Sequence, residues 1–233
     1  MRKAPTYSTD QWLAAPTQLA APADIPALLV PLITALRTAK PEQLSSNDPV
    51  ATRIADRQAA VLVLLKDATA GPEVVLLQRS DTLRHHPGEI AFPGGSREPS
   101  DRDPAATALR EATEEIGLDP LGVDPLITLP RLLIAASGFD VTAVIAHWRH
   151  PGPIHPVHPD ETRRVLTIAL PELNNPARWH TFRTRGWTGP ATHLDVATRL
   201  WGYTAEILAF MAHNLLSTRP PRRVGPLPPP PPT

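Results

Sequence analysis

GGSREPSDRDPAATALREATEEIGL, residues 94–118, places a glycine turn, a helix start and three glutamates in one short run. Asp103-Pro104 is a good helix opening, because Asp can accept from free N–H groups and Pro is tolerated at the first helical position. Gly117 is placed to stop the helix. A helix turns about 100° per residue, so with Glu111 at zero, Glu115 lies near +40° and Glu114 near −60°, an arc of roughly 100°. Three carboxylates on one face repel one another unless a cation sits among them. Mg²⁺ or Mn²⁺ suits hard oxygen ligands and is commonly shared between carboxylates and phosphates, so the pattern points to phosphate chemistry. The alternative is a solvated acidic face balanced by Arg110, which reaches Glu114 at i+4.

Upstream, VLLQRSDTLRHHPGEIAFP occupies residues 75–93. Taken together, the two stretches resemble the Nudix hydrolase family, whose box reads G-x5-E-x7-R-E-U-x-E-E-x-G-U with U a bulky aliphatic. Arg110, Glu111, Ala112, Thr113, Glu114, Glu115, Ile116, Gly117 and Leu118 align with its second half, with the small Ala112 at a U position. In the first half Asp101 stands where Glu is expected and one extra residue precedes Arg110, which leaves a catalytic role for Asp101 open. The upstream string is similar to that of the coenzyme A pyrophosphatase branch, LLTxRS-x3-R-x3-G-x3-FPGG. Ten positions agree: Val75, Leu76, Arg79, Ser80, Arg84, Gly88, Phe92, Pro93, Gly94 and Gly95, with Leu77 in place of Thr.

The resemblance implies an α/β fold, a Nudix-type α/β/α sandwich with a mixed central sheet. It also implies a Mg²⁺- or Mn²⁺-dependent diphosphatase. Glu114 and Glu115 are the first metal ligands it suggests. Glu111 serves as ligand or as the group that orients or deprotonates water, with Arg110 holding its carboxylate. The Gly94 carbonyl, and a carboxylate from outside the box, complete the set. Glu161 in HPDETRRVLTIAL is the candidate for the latter, with Asp160 as its neighbouring alternative. Gly94 and Gly95 let the backbone approach metal or phosphate, and Arg79 and Arg84 match phosphate geometry with their guanidinium forks. His85 and His86 are weaker phosphate candidates. Trp201 and Tyr203 fall in a segment similar to one near the end of the branch and read as packing rather than as an adenine platform. The implied substrate is coenzyme A or an acyl derivative, cut to 3′,5′-ADP and 4′-phosphopantetheine or its acyl form. Other nucleoside diphosphate derivatives, such as NADH, ADP-ribose or an oxidised nucleoside triphosphate, are alternatives, as is a nucleotide-binding module without turnover. Related enzymes are often dimers, which leaves a homodimer open.

Composition bounds the rest. With 23 basic and 23 acidic side chains the net charge is zero, so no electrostatic footprint for nucleic acid or an anionic membrane exists. Zero cysteines exclude disulfides, thiol catalysis and Cys-based metal sites. No apolar run reaches the length of a membrane span and no signal-type segment opens the chain, so a cytoplasmic protein is expected. The 30 prolines concentrate toward the ends. That distribution suggests an irregular segment over 1–23 and a proline-rich disordered tail over 218–233, and the resemblance implies a Nudix hydrolase domain over 24–217 between them.

Within the domain, Ile25 to Leu36 reads as a helix capped by Asp24. Ala59 to Leu65 and Val74 to Leu77 read as paired strands, and residues 88–103 as a loop. Leu126 to Ile134, Val141 to Trp148 and Arg164 to Leu170 read as strands. An amphipathic helix is expected from about Thr204 to Leu216, with Ala205, Leu208, Ala209 and Ala212 on one side.

Overall fold

The computed structural model describes residues 5–45, 55–134, 137–184, 187–195 and 198–215. In chain order these form α1 (Thr9–Leu13), α2 (Val30–Arg37), α3 (Pro41–Leu44), β1 (Arg57–Lys66), β2 (Glu73–Arg79), β3 (Ile90–Ala91), β4 (Gly94–Ser96), α4 (Pro104–Ile116), β5 (Val123–Thr128), β6 (Leu132–Ile134), β7 (Phe139–Trp148), β8 (Thr162–Ala169), α5 (Leu170–Leu173), β9 (His180–Thr184), β10 (Trp187–His193), β11 (Arg199–Leu200) and α6 (Gly202–Asn214). The proline-rich tail lies outside the described residues.

β1 organises the main sheet. Its run AAVLVLLK is buried nearly throughout, as expected for a strand covered on both faces. Side chains alternate between faces with period two. Leu62 and Leu64 therefore join Val75, Leu77, Val144 and Ala146 on the face that α4 covers. Val63 and Leu65 join Val74, Leu76, Ala143 and Ile145 beneath α2 and α6. Helices on both faces of one sheet make the α/β/α sandwich. The sheet is mixed: β1 runs parallel to β7 and antiparallel to β2 and β4, while β5 and β6 pair antiparallel with β7, and β8 with β2.

Several local expectations are corrected. The segment over 1–23 is not wholly irregular, because Ser8 and Gln11 form a capping box that starts α1. Trp12 on that turn is fully buried under α4. The helix expected from Ile25 begins only at Val30. Pro26 keeps Ile25 extended, and Asp24 ends a short 3₁₀ turn instead of capping a helix. Residues 88–103 contain two short strands, β3 and β4. The strand expected over 126–134 is split into β5 and β6, with Pro130 between them. The last helix is buried almost all round, since α2, α3, α5 and β10 enclose it. Inside that enclosure, the Ser45 hydroxyl hydrogen-bonds the Glu206 carboxylate at 2.8 Å. Among the described residues no helix is long and apolar enough to cross a membrane.

Candidate active site

The glycine turn is fastened to the central strand before the helix begins. Pro93 accepts the Leu62 N–H at 2.7 Å, and Gly94, Gly95 and Ser96 pair with Val61, Ala60 and Ala59. Gly94 has φ +156°, and a Cβ there would lie 2.5 Å from the Ala60 carbonyl oxygen. Only glycine allows that approach. The demand at Gly95 is different: its Cβ would stand 2.6 Å from the Glu111 carboxyl group. The glycines thus make room for β1 and for a carboxylate.

Helix α4 starts and stops where its residues dictate. Asp103 caps it, accepting the Ala106 N–H at 2.7 Å, and Gly117 ends it in the left-handed region at φ +66°. Ala105, Ala108, Ala112 and Ile116 form its inner stripe. The small alanines let the helix axis approach the sheet, and Ala112 is fully buried there. The loop over 150–161 then folds back onto the C-terminal turn. His155 and Val157 donate their N–H groups to the carbonyls of Ile116 and Glu115 at 3.0 and 3.1 Å. Those carbonyls would otherwise lack partners at a helix end.

Arg110 is the hub of the outer face. Its Nε and Nη2 donate to the two oxygens of Asp101 at 3.1 and 3.0 Å, and Nη2 also donates to the Ser96 carbonyl at 2.8 Å. Nη1 lies 3.1 Å from both the Glu111 and the Glu114 carboxylates. Arg110 thus contacts Glu111 and Glu114 at once. Asp101 is only 4% exposed and also accepts from the Glu98 N–H and the Thr107 hydroxyl at 2.8 and 2.9 Å. Burial alone would raise its pKa, but the bonds from Arg110, Glu98 and Thr107 outweigh burial and hold the carboxyl below its usual range. Asp101 is thus an anchor for Arg110, a role the motif spacing left open.

The two inner carboxylates sit in a different environment. Burial pushes Glu115 up to about 7, with Glu111 and Glu161 adding to the rise, while a hydrogen bond from the Gly94 N–H and the charge of Arg79 work against it. That N–H lies 2.9 Å from Glu115 Oε2. Glu111 is raised as well, first by burial, with Arg110 opposing. Glu114 is the outlying member, its side chain 54% exposed. Glu161 stands at the entrance of β8, where its carbonyl accepts the Ser80 N–H at 2.8 Å.

Arg79 ends β2 on the side of Glu115, and its Nε is buried without a hydrogen-bond partner. Arg84 is exposed on the loop over 80–88 and forms no ion pair among the described residues. The structure therefore brings together Arg79, Gly94, Gly95, Arg110, Glu111, Glu114, Glu115 and Glu161. His86 Nδ1 instead lies 3.0 Å from the Glu89 carboxylate on the same loop.

Among the described residues no three acidic or histidine side chains are gathered into a ready metal cage. The reason is visible: Arg110 lies between Glu111 and Glu114, and the Gly94 N–H holds Glu115. The donor set still fits an oxygen-seeking divalent ion. Every side-chain donor is a carboxylate, and Glu115 is a buried acid whose charge the protein leaves largely uncompensated.

The glycine at 95 gives a direct check. Gly95→Ala should lower kcat/KM roughly tenfold or more by displacing the Glu111 carboxyl group, with little loss of Tm because only a side-chain end must move. Steady-state kinetics and a thermal melt read the two effects separately, and unchanged kinetics would mean that Glu111 has no fixed role.

Residues 56–187 match the NUDIX domain model. A Cronobacter sakazakii protein named Nudix hydrolase NudL is 36% identical over 163 residues, covering 67% of this chain and 81% of that protein. Nudix hydrolase 15, mitochondrial, of Arabidopsis thaliana is 35% identical over 186 residues, covering 76% of this chain and 64% of that one. Among solved structures, a NUDIX hydrolase from Alicyclobacillus acidocaldarius superposes with a TM-score of 0.48 at 22% identity, covering 71% of this chain and 94% of that chain. The matched segment spans the glycine turn, α4 and the sheet beneath them, so the chain belongs to the Nudix domain family, whose members are enzymes that hydrolyse phosphoanhydride bonds and generally need divalent metal ions.

Proposed function

We propose that the chain hydrolyses the diphosphate linkage of coenzyme A or an acyl-CoA, giving 3′,5′-ADP and 4′-phosphopantetheine or its acyl form. The observation that carries this reading is the string over 75–95, which begins on β2 and ends in the glycine turn. It leads Arg79 to the side of Glu115 and leaves the Arg79 Nε with no acceptor in the protein. A buried guanidinium edge without a partner suits a phosphate oxygen, and the exposed Arg84 is free to meet a further phosphate such as the 3′ group of coenzyme A.

Glu111, Glu114, Glu115, Glu161 and the Gly94 carbonyl would hold Mg²⁺ or Mn²⁺. When bound, such an ion neutralises the diphosphate and polarises phosphorus toward attack by water. The protein's own groups do the rest. Arg110 uses its Nε and Nη2 on Asp101 and leaves Nη1 to fix Glu111, whose carboxylate orients or deprotonates the attacking water. Gly95 keeps the space that this carboxylate occupies. Arg79 takes up charge that develops on the phosphoryl oxygens. The same reading takes 24–217 as the Nudix unit in a cytoplasmic setting and leaves a homodimer open.

Incubation of the purified protein with coenzyme A and Mn²⁺ should release both products in equal amounts. A panel with NADH, ADP-ribose and an oxidised nucleoside triphosphate ranks the alternatives by kcat/KM. No cleavage of coenzyme A at high enzyme concentration, alongside turnover of another panel member, would move the substrate assignment to that member. Binding without turnover of any of them under either metal would mark a non-catalytic module.

A further inference from the structure

We propose that the N-terminal segment acts as a positioning element for the hydrolytic helix, through a buried hydrogen-bond relay that runs from the Trp12 indole by way of Thr107 and Asp101 to Arg110. The inference rests on the reading that the α4 carboxylates carry hydrolysis. Trp12 lies outside the matched residues 56–187, so the family resemblance assigns it nothing.

The relay has a defined direction. An indole N–H can only donate, and Trp12 Nε1 donates to Thr107 Oγ1 at 3.1 Å. Thr107 then has one hydroxyl proton left to give. Asp101 Oδ2 receives it at 2.9 Å, closer than the competing Asp103 carbonyl at 3.5 Å. Asp101 in turn accepts Nε and Nη2 of Arg110, and that fixes Nη1 between Glu111 and Glu114. Trp12 and Thr107 are both 0% exposed, so water cannot take over a lost donor without opening the core.

The segment that carries Trp12 is tied down on both sides. Tyr7 donates its N–H to the Pro99 carbonyl at 2.8 Å, and the Arg97 guanidinium reaches the Tyr7 carbonyl and, at 3.4 Å, the Thr9 hydroxyl. Further along, the Thr128 N–H donates to the Thr17 carbonyl at 2.8 Å, and Leu19 and Ala20 both donate to the Leu126 carbonyl. The segment thus bridges the loop before α4 and the strand β5. It delivers the indole to the middle of the first turns of the helix.

Trp12→Phe keeps the ring buried and removes the donor. Two readouts are expected: the ¹H–¹⁵N resonance of Arg110 Nε shifts and exchanges faster with solvent, and kcat falls roughly fivefold, the cost of one buried hydrogen bond, while KM stays within about twofold. Thr107→Ser retains the hydroxyl and should keep kcat near that of the parent, whereas Thr107→Val, which removes the bond to Asp101 itself, should lower kcat at least as much as Trp12→Phe. An Arg110 resonance or a kcat unchanged in Trp12→Phe overturns the proposal. So does a Thr107→Ser variant as slow as Thr107→Val, which would reduce the relay to packing. If Trp12→Phe fails to fold, the Thr107 pair decides. The resonance needs no substrate, so it stands whether or not coenzyme A is cleaved, and kinetics can be read on ADP-ribose if it is not.

Discussion

Glu115→Gln is expected to abolish most of the hydrolysis and, at the same time, to make the metal-free protein more stable at pH 8. The side chain keeps its volume and can still accept the Gly94 N–H, so the fold has no reason to change. What is lost is a negative charge at the centre of the carboxylate set, and a kcat loss of about a hundred- to a thousandfold is in keeping with removal of one electrostatic element of such a site. The stability gain follows from burial. A carboxyl whose pKa rises from 4.5 to about 7 on folding holds its proton longer in the folded than in the unfolded chain. Between those values stability therefore falls as pH rises, and above them the ionised group is a standing cost. Neutral Gln removes that cost, worth about 1–3 kcal/mol after allowance for relaxation. Urea titration in EDTA at pH 8 and at pH 5 checks the sign: the gain should be present at pH 8 and shrink at pH 5. Unchanged turnover would show that the carboxylates of α4 are not the reacting centre.

Arg110→Ala should damage both function and fold. It frees Glu111 and Glu114 from their common donor and removes both bonds to Asp101, leaving a carboxylate that is 4% exposed without its ion-pair partner. Loss of one member of a buried pair costs about 3 kcal/mol or more. A kcat loss of about a hundredfold or more is expected, because the group that fixes Glu111 has gone. The acid limb of stability gives an independent signature. Asp101 has a depressed folded-state pKa, so its contribution is present above its unfolded value of 3.8 and is lost as pH falls toward the folded one. Arg110→Ala should flatten that limb, since the largest lowering partner is absent. A variant with the parent's acid sensitivity would mean that the Arg110–Asp101 fork contributes nothing in solution.

Helix α4 was legible because its signals are local. Asp103-Pro104 and Gly117 act within one turn of themselves, and three glutamates on one arc need only helical geometry. β1 was equally plain, a short apolar run followed by the turn-prone stretch over 67–72. What could not be read depends on partners far along the chain. Trp12 sits on a five-residue helix with no periodicity to detect, and its hydrogen-bond partner is Thr107. The role of Asp101 became visible only once Thr107 and the Glu98 N–H were seen to converge on it. The small sheet of β9, β10 and β11 was hidden by Gly189 and Pro190 in the middle of β10. Proline is tolerated there because β11 pairs only with Thr192 and His193, leaving one flank of Pro190 open.

One face of the central sheet is covered by helices that come from outside the matched residues, α2 at 30–37 and α6 at 202–214. A chain cut back to 56–187 would bare Val63, Leu65, Val74, Leu76, Ala143 and Ile145 to solvent. Such a continuous oily surface drives self-association. The segment that defines kinship is therefore not expected to fold by itself in this protein, and truncation to it should yield insoluble material even though every carboxylate of α4 is retained.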